Sequence, residues 1–145
     1  MGGVISDITY EDIVIRGRVN HWQSMPSSPI RMAMFYHAAD LNATHGEFGV
    51  IANLTFRNIV AEAAPMAGCA WHDGKPPAQC DGEPYGPAEV GQFIGMAGFP
   101  LRGLTLHNVT IRAAPGTKLA TWRCENVDMS TVSVTNVVPP WTCGK

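Results

Sequence analysis

The chain has 145 residues, of which 46% are hydrophobic and only 15% are charged, whereas about 25% are charged in an ordinary soluble domain. This length allows one domain with a sizeable core, and a surface so poor in charge must be covered largely by Ser, Thr, Asn and Gly. The net charge of −2, the pI near 6.2 and the lack of a Lys/Arg run predict no nucleic-acid partner and no anionic membrane partner.

Four segments of the sequence share one pattern, in which alternating apolar residues are interrupted by Asn or Asp. Alternation with a period of two residues is typical of strands that have one buried face. Asn and Asp suit tight bends, because their side chains bond to nearby backbone and tolerate a left-handed conformation. The segments are Val4–Ile15, Val50–Ala61, Pro100–Ile111 and, more weakly, Arg123–Val134.

The spacing of these segments predicts a repeat. The matched apolar positions are Ile8, Leu54, Leu104 and Val127, and each of the first two intervals is about twice the third. A repeat of about 23 residues with strands and turns but no helical pattern is typical of a β-solenoid, in which each coil buries its apolar face against the next. Unmarked intermediate coils are then expected near Pro29–Tyr36 and Gly91–Met96. A β-sandwich also has short strands, but it is not expected to repeat the same turn residues at this interval.

The four cysteines form two local pairs. Cys69 and Cys80 lie inside a Pro/Gly-rich insertion at 64–90, while Cys124 and Cys143 lie in the segment 122–145. Neither pair has the C-x-x-C spacing of a zinc or redox site, so two disulfides are favoured over free buried thiols. The first bond would restrain the insertion, and the second would pin a cap over the end of the solenoid.

Disulfides imply an oxidising compartment, yet the N-terminal residues have neither the basic region nor the apolar stretch of a signal peptide. We therefore expect a fragment of a secreted protein. Three sequons occur, at Asn42, Asn53 and Asn108, and Asn42 is the preferred glycan acceptor because it lies in a loop. No metal site and no cofactor are predicted, because the histidines lack ligand spacing; they are His21, His37, His45, His72 and His107.

The order of several segments resembles the C-terminal part of plant-type polygalacturonases, which belong to glycoside hydrolase family 28. The resemblance is carried by Gly2–Ile8, Pro29–Tyr36, Ile51–Ile59 and Trp122–Val127 followed by Cys143. It implies that residues 1–145 are one C-terminal portion of a right-handed parallel β-helix, with an extracellular or cell-wall location for the complete protein.

The resemblance also implies inverting hydrolysis of an α-galacturonan such as pectin, with aspartates as acid and base. The family's motifs Asn-Thr-Asp, Asp-Asp, Gly-His-Gly and Arg-Ile-Lys are absent from this sequence. In the family they precede the glycine pair that is Gly2-Gly3 here, so the chain alone is expected to be inactive. Arg16 is interpreted as part of an exposed turn. The alternative function is a non-catalytic β-helix module that binds acidic polysaccharide, or a structural remnant.

Tyr36 is the one substrate-binding residue that the resemblance carries over. It matches a tyrosine that stacks on a sugar beside the cleavage point, since its ring offers an apolar face and a polar edge. The alternative is a strand-end tyrosine packed under a loop. Arg31, on the same segment, could face an anionic sugar, but a solvated arginine is the favoured interpretation.

Overall fold

The computed structural model describes residues 3–16, 28–34, 49–63, 66–67, 84–85, 90–113, 115 and 118–144. These residues contain strands and one 3-10 turn, Met129–Thr131, but no α-helix. The strands are β1 (Val4–Ile15), β2 (Arg31–Ala33), β3 (Val50–Ala63), β4 (Met66–Ala67), β5 (Pro84–Tyr85), β6 (Gln92–Ile94), β7 (Arg102–Ala113), β8 (Arg123–Glu125) and β9 (Ser133–Val138).

Two parallel sheets make up the fold. The long strands form a four-stranded sheet in the order β1-β3-β7-β9, and the short ones form a three-stranded sheet in the order β2-β6-β8. Strands β4 and β5 pair with each other, antiparallel. Along the chain, strands of the long sheet alternate with strands of the short sheet. The prediction of an all-β chain with parallel strands is confirmed.

The predicted length of the repeat is wrong. Facing positions on successive long strands are separated in sequence by 46, 50 and 28, as at Asp12, Asn58, Asn108 and Asn136. The segments Pro29–Tyr36 and Gly91–Met96 do contain strands, but these are β2 and β6 of the short sheet. They were interpreted as extra coils because alternation reveals which face is buried and not which sheet a strand joins.

The alignment of the fourth segment is also wrong. It matched Leu104 with Val127, whereas Val127 bridges Leu101 and the ladder of β7 resumes where Thr105 pairs with Ser133. The 3-10 turn occupies the intervening residues. Asp128 caps this turn, since its Oδ1 accepts a hydrogen bond from the Ser130 backbone N–H at 3.3 Å and a second one from the Ser130 hydroxyl at 2.6 Å.

The Asn and Asp positions of the long strands are bends, as predicted. Each has a left-handed backbone, with φ between 52° and 58°. One set of bends lies in register across all four strands, and we call it the asparagine ladder; it consists of Asp12, Asn58, Asn108 and Asn136. Each asparagine donates its Nδ2–H to the Oδ1 of the preceding rung at 2.9 Å. Asparagine suits the inner rungs of the ladder because its side-chain amide carries both a donor and an acceptor.

A second set of bends lies at Asp7, Asn53 and Gly103. Asn53 donates to Asp7 at 3.0 Å, and Gly103 has a φ of +64°. A Cβ at Gly103 would lie 2.4 Å from the Asn53 Oδ1, so glycine is the residue that fits the third rung. Hydrogen bonds from the Ser6 hydroxyl and the Asn53 amide lower the pKa of Asp7 below its usual value.

The core lies between the two sheets. Register-matched apolar pairs from β3 and β7 fill it, and all of them are buried: Leu54 and Leu104, Phe56 and Leu106, Ile59 and Val109, Ala61 and Ile111. Phe93 of the short sheet is fully buried, and its ring lies 5.6 Å from Phe56 and 5.9 Å from Trp141. Tyr10 extends this aromatic group to β1, stacking on Phe56 at 5.0 Å.

The C-terminal segment is fastened to the short sheet. Cys124 of β8 forms a disulfide with Cys143, as predicted. Trp122 donates its Nε1–H to the Pro139 carbonyl at 3.1 Å, and its ring lies 5.3 Å from that of Trp141. The predicted bond between Cys69 and Cys80 lies outside the described residues.

Removing the Cys124–Cys143 bond is expected to lower the free energy of unfolding by about 3 kcal/mol, because the bond closes a loop of 19 residues. The cleanest background is a Cys69→Ala, Cys80→Ala variant, which keeps these as its only cysteines. Urea unfolding with and without reductant then measures this bond alone. A loss below about 1 kcal/mol would show that the bond adds little to chain restraint.

Candidate functional site

The segment Pro29–Tyr36, for which the sequence predicts the substrate contact at Tyr36, contributes β2 to the short sheet. Met32, Phe93 and Cys124 point into the core. Because side chains alternate along a strand, the neighbouring positions face away from it. We call one of these outward sets the arginine row; it consists of Arg31, Gln92 and Arg123, which are paired across β2, β6 and β8.

The arginine row does not form one continuous ligand surface. Arg31 and Arg123 are exposed, but Gln92 between them is only 1% exposed. Arg123 also pairs with Glu125, with the Arg123 Nη2 2.6 Å from the Glu125 Oε1, so its charge is already balanced. Exposed arginines can hold a carboxylate through the guanidinium fork. The row therefore does not form a closed binding site.

Several predicted site residues lie outside the described residues. They are Tyr36, Asn42, Cys69 and Cys80. Of the other two sequons, both asparagines lie at bends. The Asn53 amide donates to Asp7, and Asn108 both donates to Asn58 and accepts from Asn136. Each contact uses one of the two N–H groups of the amide nitrogen to which a glycan would be attached.

The outward face of the long sheet carries a charged row directly before the asparagine ladder. Glu11, Arg57 and His107 are paired across β1, β3 and β7. The Arg57 Nη2 lies 2.6 Å from the Glu11 Oε1, and this hydrogen bond, with the attraction between the charges, raises the pKa of Arg57. His107 is exposed at an outward position, as predicted.

Two hollows open at the β1 side of the molecule. An apolar one of ≈ 170 Å³ is lined chiefly by Tyr10, Ile13, Ile30 and Met32 and continues the core to the surface. A groove of ≈ 400 Å³ lies at the C-terminal ends of β1, β3 and β7. Its lining residues are Val14, Ile15, Arg16, Val60, Ala61, Glu62 and Arg112.

The charged residues of this groove were not singled out from the sequence. Arg16 was interpreted as a turn residue; it is exposed and directly follows β1. The sequence nevertheless contains a spacing that identifies them. Arg16, Glu62 and Arg112 each lie four residues after a rung of the asparagine ladder, so the ladder's register places them side by side.

The described part of the chain brings together no group of three or more His, Cys, Asp or Glu side chains that could hold a metal ion. It also has no helix long and apolar enough to cross a membrane.

Comparisons with protein-family models, with curated proteins and with solved structures find no match to this chain. The family resemblance therefore depends on the sequence segments alone, and the functions that it implies are stated below as proposals.

Proposed function

We propose that the two parallel sheets are walls of a partial right-handed parallel β-helix. One coil then comprises a long strand and the short strand that follows it, as in β1 with β2, β3 with β6, and β7 with β8. The strict alternation between the sheets along the chain supports this winding. The right hand follows from the strong preference of parallel β-crossover-β connections for that hand.

We propose further that the chain is part of a polygalacturonase-like hydrolase, which in its complete form cleaves galacturonan with inversion. The observation that supports this is the parallel register of β1 with β3 and β7. It stacks Val4–Ile8, which belongs to the first segment that carries the family resemblance, on the start of β3, which contains a second such segment, Ile51–Ile59. Inversion requires two carboxyl groups about 6.5–9.5 Å apart with water between them. Because the motifs that supply them are absent from the sequence, this chain would contact substrate through Tyr36 rather than cleave it.

The second candidate is a non-catalytic module that binds acidic polysaccharide in the cell wall or another extracellular setting. Its support is that Arg31 and Arg123 are exposed on one row of the short sheet. The disulfide between Cys124 and Cys143 agrees with an oxidising compartment under either candidate.

The purified chain is expected to release no reducing ends from polygalacturonate, since it lacks the family's catalytic motifs. A reducing-end assay against a buffer blank measures this, and hydrolysis above the blank would contradict the inactive role.

The reading frame upstream of Met1 separates the two candidates. In-frame Gly-His-Gly and Arg-Ile-Lys motifs are the expected result for the hydrolase. A transcript that begins at Met1 would rule the hydrolase out and leave the binding module.

A further inference from the structure

The groove at the C-terminal ends of the long strands carries three charged residues in one row. Glu62 pairs with Arg112 across β3 and β7, and Arg16 follows the pair formed by Ile15 and Ala61. The order across the sheet is thus cation, anion, cation. We call this set the groove triad.

The two arginines of the groove triad have no partner among the described residues. Glu62 and Arg112 have the same cross-strand relation as Glu11 and Arg57, yet only the latter pair forms an ion pair, at 2.6 Å. Arg16 is exposed and likewise makes no hydrogen bond or ion pair in the described residues. Two guanidinium groups are therefore available to a ligand.

The floor of the groove is apolar. Val14 is 58% exposed and Val60 is 45% exposed, although both belong to paired strands. Their side chains lie one row before Ile15 and Ala61, next to the groove triad. A ligand that covers them removes apolar surface from water, which adds to binding without any further charge.

The spacing of the triad restricts the ligand. Adjacent strands lie about 4.8 Å apart, so the positions of Arg16 and Arg112 are separated by about 9.6 Å. A ligand with two anionic groups at about this spacing can therefore contact both arginines at once. Between them, Glu62 repels a third anion but accepts hydrogen bonds from hydroxyl groups. A chain of sugar acids has this alternation of carboxylates and hydroxyls, whereas a dense polyanion does not.

We propose that the groove triad and the two valines bind an oligosaccharide of uronic acids along the edge of the long sheet. The inference deepens the acidic-polysaccharide part of the proposed function and rests on it for the class of polymer. It places the contact on the long sheet, away from the arginine row of the short sheet.

The test is a titration of the full ¹⁵N-labelled chain with hexagalacturonate, followed by NMR. Shift changes are expected at the C-terminal ends of β1, β3 and β7. An Arg16→Gln, Arg112→Gln variant is expected to bind about tenfold more weakly, as two exposed charge contacts allow. The affinity is also expected to fall as NaCl is added, because salt screens exposed charges.

The matched control is Arg57→Gln, Arg102→Gln, which removes the same charge from the same sheet outside the groove. It is expected to keep the wild-type affinity within about twofold, since neither arginine lines the groove. Urea unfolding confirms that both double variants remain folded. Equal weakening by the two variants, or equal binding of maltohexaose, would overturn the groove assignment but leave acidic-polysaccharide binding elsewhere on the chain intact. No binding of hexagalacturonate at all would overturn the groove and the binding-module candidate together.

Glu62→Gln separates the role of the central anion from that of the arginines. Removing its charge is expected to improve binding of dextran sulfate, a denser polyanion, by severalfold, with little gain for hexagalacturonate. If both ligands gain equally, Glu62 does not select against dense charge.

Discussion

Replacing Phe93 by Ala is expected to lower the free energy of unfolding by about 4 kcal/mol, the largest effect of any single change considered for this chain. The Phe93 ring is fully buried and packs against three aromatic rings: Phe56 of the long sheet, Trp122 directly before β8, and Trp141 of the C-terminal segment. Truncation leaves a cavity where these three regions meet. The variant therefore loses the packing contacts between the regions as well as the free energy of burying one aromatic ring.

Phe93→Leu is the matched control, because it keeps most of the buried volume and loses the ring. We expect a loss of about 1.5 kcal/mol for this variant. Urea unfolding followed by tryptophan fluorescence measures both changes, since Trp122 and Trp141 lie within 6.1 Å of the Phe93 ring. If Phe93→Ala costs no more than the expected loss for Phe93→Leu, the short sheet does not pack on the long one as described.

Replacing Asn58 by Ala is expected to cost about 3.5 kcal/mol. Its amide donates to Asp12 and accepts from Asn108, each at 2.9 Å, and its φ is 54°. The two hydrogen bonds account for about 2 kcal/mol and the left-handed backbone, which Ala disfavours, for about 1.5 kcal/mol.

Asn58→Gly separates these two contributions. Glycine accepts the left-handed backbone without strain but makes no ladder bonds, so a loss of about 2 kcal/mol is expected. Chemical denaturation of both variants gives the comparison. If Ala and Gly cost the same, the bend is not left-handed in solution. If neither variant is measurably less stable than the wild type, the ladder adds nothing to stability.

The sequence predicted the strands and bends of this chain well, because both are local properties. Alternation identified β1, β3 and β7, and the side-chain chemistry of Asn and Asp identified the positions with left-handed backbone. The assignment of strands to sheets was not local. The segments that contain β2 and β6 have the same apolar character as any short strand. Nothing in them shows whether they belong to a second sheet or add further strands to the first.

The error in the last segment has a different cause. Val127 and Val132 both fit the apolar position that matches Leu104, and the choice between them depends on how many residues the 3-10 turn occupies. Such a turn leaves no periodic trace in the sequence. The groove triad, in contrast, could have been found by counting four residues on from each rung of the asparagine ladder.

The register of the asparagine ladder is the feature on which the fold and the proposed winding both depend. A ¹⁵N-edited NOESY spectrum of the labelled chain tests it directly through the side-chain amide protons of Asn58. Cross-peaks are expected from these protons to the Asp12 Hβ atoms and to the Asn108 side-chain amide. Cross-peaks from Asn58 to residues shifted along β1 or β7, or only to its own strand, would contradict the parallel register.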